Sequence, residues 1–193
     1  MPKEWESYFP SLPGKWIETS PPTTDYNCFA FAVGDETRWW DPLPPGSYYW
    51  PPNVPRGYQL EHFQRAFETE GFRRCADGNL VEGIEKIAIF INAYGGVEHA
   101  ARQEPNGKWK SKIGGFEDIS HDDLDALSGG DYGDPRCFME RERNYAKTIS
   151  QEVMAASSET AKLDPQIGAS NPTHREDFMR LANAAARKRE PER

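Results

Sequence analysis

With 193 residues, 37% apolar and 12% aromatic, the chain is long enough to bury a substantial core and one cleft, as a single domain or a domain with an appendage. Its formal charge of −8, from 31 acidic against 23 basic residues, repels phosphate backbones and argues against a nucleic-acid partner. No apolar run approaches the roughly 20 residues that cross a bilayer, and the opening MPKEWESYFPSLPGKW lacks the apolar stretch of a secretory signal, so the expected address is the cytoplasm, away from membranes.

Residues 1–26 set Pro2, Pro10, Pro13, Pro21 and Pro22 among Trp5, Tyr8, Phe9 and Trp16, which predicts an extended arm anchored by its aromatics. CFAFAVGD supplies about two helical turns from Cys28, with Gly34 as the stop. Residues 38–55, RWWDPLPPGSYYWPPNVP, predict an ordered irregular loop. Leu60, Phe63 and Phe67 fall at i, i+3 and i+7 ahead of Gly71, which predicts an amphipathic helix over 59–70. FRRCA and IEKIAIFINA read as strands, the second apolar enough to be covered on both faces and therefore central.

GGVEHAARQEPNGKWKSKIGG predicts two strands joined at Pro105-Asn106-Gly107, with His99 on the first. If Asn106 and Gly107 alone form the loop, Ser111 points away from the face of His99; a register slip of one residue reverses this. SHDDLDALSGG predicts a short helix capped by Ser120. Beyond it, Tyr145, Ile149 and Val153 share a stripe, 157–172 resembles a linker, and Thr173 with Glu176 forms a capping box for a helix reaching about Lys188. Phe178, Leu181, Ala182 and Ala185 give that helix an apolar face for docking or self-association. The expected division is 1–140 for the main domain and 141–193 for a helical extension.

Three cysteines, Cys28, Cys75 and Cys137, cannot all pair within one chain and none has C-x-x-C spacing, so free thiols in a reducing compartment are expected, with Cys75 and Cys137 as core fillers. The acidic stretch from Glu117 to Asp134 lacks the spacing of a calcium loop. No cofactor or metal is called for. A thiol becomes a nucleophile when a helix N-terminus and a neighbouring imidazole lower its pKa. Cys28 at a predicted helix start, followed by His99 on a strand, has that layout. His121 or Asp118 is the expected residue that orients His99, with Ser111 on the adjacent strand behind them, and Asn27 and Tyr26 are candidates to line an oxyanion site beside the Cys28 amide.

The blocks YNCFAFAVGDETRWWDP, GFRRC, EKIAIF, VEHAARQEPNGKWKSKIG and EDISH resemble those of a mostly bacterial domain family with YNC-x-A-aromatic-A, HAARQ and SK[LI]G motifs. That family is similar to papain-like cysteine hydrolases of the NlpC type. Phe31 stands where the resemblance leads one to expect Trp. The resemblance implies an α+β fold in a papain-like arrangement, with an N-terminal cysteine helix on an antiparallel sheet of four or so strands, followed by C-terminal helices. It implies a thiol-dependent peptidase, amidase or deamidase acting on a protein or peptide-like substrate, with Cys28 attacking and His99 moving the proton. A binding or immunity-type module on the same fold is the alternative, and a metal site of Cys28, His99 and His121 a third reading.

Overall fold

The computed structural model describes residues 3–144. By internal contacts the chain divides into Met1–Arg141 and Glu142–Arg193. The expected C-terminal helices, from Tyr145 onward, lie outside the described residues.

A mostly antiparallel sheet of seven strands dominates: β1 (Trp16–Ser20), β2 (Arg73–Cys75), β3 (Ile84–Ile91), β4 (Val97–Gln103), β5 (Trp109–Lys112), β6 (Asp118–His121) and β7 (Asp134–Glu142). Their spatial order is β1-β6-β5-β4-β3-β7-β2. The described helices are short, α1 (Cys28–Val33) and α2 (Leu60–Glu68), with 3-10 turns at Glu4–Tyr8 and Leu124–Leu127.

This overturns the papain-like α+β expectation, and particular residues say why. Trp16–Ser20, read as part of the arm, contains no proline and keeps every N–H needed to pair with β6 at the sheet edge. Ser120 and His121, read as a helix start, are the end of β6, and the capping role falls to Asp123, whose carboxylate accepts from the Ala126 N–H at 2.9 Å. Only one 3-10 turn follows. Asp134–Glu142, for which no element was expected, buries Cys137 and Met139 at alternate positions and supplies the seventh strand.

Both sheet faces are covered. One carries α1 and α2 over Ile87, Ile89 and Ala100; the other carries the N-terminal segment through Trp5, Phe9 and Leu12 over Ala88, Phe90 and Ala101. The unbroken apolar run of β3 follows, because it feeds two cores. The residues of α1 are all buried, and the helix is closed by its flanks: the Asn27 side chain accepts from the Ala30 N–H, and Gly34, at φ 78°, lets the Asp35 N–H turn back to Ala30 O at 2.9 Å.

The β4–β5 loop positions the site. It takes three residues, Pro105 to Gly107, with the Gly107 N–H on Glu104 O at 3.1 Å, the Glu104 N–H on Lys108 O at 2.8 Å and Gly107 at φ 87°. Gln103 therefore lies opposite Trp109, and the odd-numbered residues of both strands share a face. His99 and Ser111 are among them.

Candidate functional site

Cys28 is the first residue of α1, and its sulfur is approached by the main-chain N–H groups of Cys28, Phe29 and Ala100. These favour a thiolate, but the side chain is only 6% exposed, and burial outweighs them, pushing the thiol up to about 12. The resting group is a neutral thiol, which reverses the expectation of a lowered pKa. Lys112, itself buried, adds a smaller favourable charge.

His99 is fully buried on β4. Its Nε2 lies 3.0 Å from Ser111 Oγ, that oxygen lies 2.9 Å from His121 Nε2, and His121 Nδ1 lies 2.6 Å from Asp123 O. The direction of this chain is fixed at its far end, since a carbonyl only accepts. His121 must donate from Nδ1, its Nε2 then accepts the Ser111 hydroxyl proton, and the Ser111 oxygen accepts from His99 Nε2–H. His99 is thereby held in the tautomer whose Nδ1 carries a lone pair, and that buried Nδ1 has no hydrogen-bond partner among the described residues. Burial, with a smaller contribution from His121, holds the His99 pKa well below the usual imidazole value; burial also lowers that of His121.

Strand alternation puts Ala100 and His99 on different faces of β4, while the Cys28 sulfur comes near enough to Tyr132, the ring stacked on His99, to act on it electrostatically. Ala100 faces α1 in one core, whereas His99 pairs with Phe90 across from β3 on the other. No hydrogen bond joins Cys28 to His99 among the described residues. Both nevertheless address the interval between β4 and β5, whose paired residues are Arg102 with Lys110 and Gln103 with Trp109. The sulfur takes the Ala100 N–H, which lies in the sheet plane as strand amides do, and the imidazole reaches across to Ser111 on β5.

Three expected site residues serve elsewhere. Asp118 faces away from His99 and accepts from the Tyr26 hydroxyl at 2.7 Å, so neither orients the imidazole nor offers a free donor. Burial, reinforced by Asp118, raises the Tyr26 phenol. Asn27 clamps the next loop besides capping α1: its Nδ2 donates to Trp40 O at 2.6 Å and its Oδ1 accepts from the Trp40 N–H at 3.2 Å. Lys112 donates to Thr23 O at 2.8 Å and to Phe116 O, and burial lowers it to about 8.

Residues 17–140 match a family described as a domain of unknown function, DUF7689. The chain belongs to that family. No curated protein and no solved structure matches it. The DUF7689 match contains Cys28, His99, Ser111 and His121, and lends no support to a relationship with papain-like or NlpC-type hydrolases.

Within the DUF7689 domain, two contributors escaped the sequence reading. Ser111 was seen as a neighbour but not as the link to His121; its signal was register, which depends on whether the loop holds two residues or three. Tyr132, stacked on His99 with ring centroids 4.1 Å apart, had no local signal, because it arrives from a glycine loop between β6 and β7. Among the described residues no group of three His, Cys, Asp or Glu is placed to hold a metal ion, and no helix is long and apolar enough to cross a membrane.

Proposed function

We propose that the protein is a thiol-dependent hydrolase acting on an amide bond of a protein or peptide-like substrate, with Cys28 as nucleophile and His99 as base. The observation that carries the reading is the proton order of the Asp123–His121–Ser111–His99 chain, which leaves a buried imidazole with one free lone pair on the residue next to Ala100, whose N–H approaches the Cys28 sulfur. A histidine filling a core would be expected to satisfy both nitrogens.

Because both groups rest neutral, the reaction runs by general-base catalysis rather than from a preformed ion pair. As sulfur attacks the carbonyl carbon, His99 Nδ1 takes the thiol proton and the carbonyl π electrons move to oxygen. Collapse breaks the C–N bond, and the amine leaves with the proton from His99. Water then attacks the thioester, giving its proton to Nδ1; the C–S bond breaks and the sulfur recovers that proton. Ser111 and His121 keep the imidazole in the productive tautomer throughout.

The burial of Cys28 favours a second reading, a non-catalytic binding module in which the thiol packs the core. A peptide acyloxymethyl ketone panel separates the two. The hydrolase reading expects labelling of Cys28 in native protein and its loss in folded His99→Gln; no labelling by any member, with the fold intact, favours the binding module.

A further inference from the structure

We infer that Tyr132 and the N-terminal segment Glu4–Phe9 form a closed cover over His99 that must swing away before the site can act. The inference rests on the assignment of His99 as the base and concerns how that site is regulated. His99 has no exposed surface. One face of its ring is stacked on Tyr132, with centroids 4.1 Å apart and planes 1° from parallel, while the edge contact with Phe90 comes from the sheet itself. The two neighbours differ in kind: Phe90 is fixed in a central strand, but Tyr132 sits between Gly129 and Gly133, both at positive φ, in a loop pinched by a Gly130–Gly133 bridge.

Phe9 backs the outer side, its ring 4.7 Å from that of Tyr132, and Gly130 lies so close to Tyr8 O that no Cβ would fit. The segment is latched where it starts. Lys3 and Trp5 both hold Glu117, the indole Nε1–H at 2.8 Å from Oε2. Glu4–Phe9 lies ahead of the family match at 17–140, so the cover joins a family loop to a segment outside the matched domain. A site with a fully buried base admits no substrate until such a contact is broken, and the Tyr132 stack, held by a glycine-flanked loop rather than by a strand, is the contact on His99 that can be broken without opening the sheet.

The test is carbethoxylation of His99 by diethyl pyrocarbonate, read by mass spectrometry on the full chain, with iodoacetamide on buried Cys137 as the monitor of general unfolding. Native protein should protect His99. Tyr132→Ala and Phe9→Ala should each raise its modification by about tenfold or more while Cys137 stays protected, and Tyr132→Phe, which keeps the stack, should not. Continued protection of His99 in folded Tyr132→Ala would overturn the cover, as would His99 and Cys137 becoming reactive together. The readout needs no turnover: an exposed His99 with no ketone labelling of Cys28 would sink the hydrolase reading and leave the cover standing.

Discussion

His99 and Tyr132 stack with their ring planes 1° from parallel. With Phe90 in edge contact, Ser111 at Nε2 and no exposed surface, the imidazole is shut off from the solvent that would stabilise a charge on it. Its neutrality follows from packing, and so does a dependence of the fold on pH.

His99 and His121 both have folded pKa values below the ordinary 6.5, chiefly through burial. As pH falls, the unfolded chain therefore takes up protons before the native one. The stability concerned is present above pH 6.5 and is lost progressively as the pH drops below it toward the folded values, at up to about 1.4 kcal/mol per pH unit for each imidazole. Urea midpoints at pH 7.5, 6.5 and 5.5 should fall in that order; equal midpoints would mean that the imidazoles are not held neutral.

Ser111→Ala should cost about 1–3 kcal/mol in urea unfolding, since it strands His99 Nε2 and His121 Nε2 in the core without partners. Any hydrolytic activity should fall further than stability does, because the tautomer of His99 is no longer held. Ser111→Thr, which keeps the hydroxyl, should recover part of both. A neutral Ser111→Ala would show that the chain carries no energy.

The cysteine helix was legible from a short apolar run closed by Gly34, and α2 from its periodic apolar face. The central position of β3 was legible from its unbroken apolar run. The sheet was underestimated where the signal is not local. β1 finds its partner about a hundred residues away in β6, and β7 has charged residues on both sides of its buried Cys137 and Met139. The candidate site divides the same way. Cys28 and His99 stand out as residue types, whereas the roles of Ser111, His121 and Asp118 turn on strand register, where one residue decides the face. Asn27 was read as a ligand-facing amide because its caps and clamps are contacts with Ala30 and Trp40 that composition does not show.

Asn27→Ala should be among the costly single changes. It removes the cap of a helix that begins with Cys28 and leaves both main-chain groups of buried Trp40 without their side-chain partner. A loss of about 2–4 kcal/mol is expected from the two effects together. A urea midpoint shift equivalent to less than about 0.5 kcal/mol would contradict the clamp.

Gly133→Ala meets two obstacles, a φ of 74° and a Cβ placed against the main chain at Ile91, which cannot rotate aside. About 2–4 kcal/mol should be lost. Gly14→Ala shares only the left-handed φ, with open space around its Cβ, and should lose less. Equal losses would show that the close approach at Ile91 is not real.

The alkylation profile of Cys28 tests the resting state of the site most directly. In denatured protein the thiol should behave as a free one, its rate rising with pH and flattening above about 8.5. In native protein a thiol pushed up to about 12 gains thiolate tenfold with each pH unit across the whole accessible range, so log rate against pH should climb from 7 to 10 without a plateau. The absolute rate will also be low, because the thiol is covered, but cover that does not itself titrate lowers every point equally and leaves the slope unchanged. Slope thus reports ionisation, and the intercept reports ionisation together with access. Mass spectrometry must separate Cys28 from the more exposed Cys75. A native profile that levels off near pH 6 or 7 would mean that the helix N-terminus and His99 do hold a thiolate, that burial is not the dominant influence on Cys28, and that the reaction would start from an ion pair rather than from the neutral thiol and free imidazole lone pair assigned above.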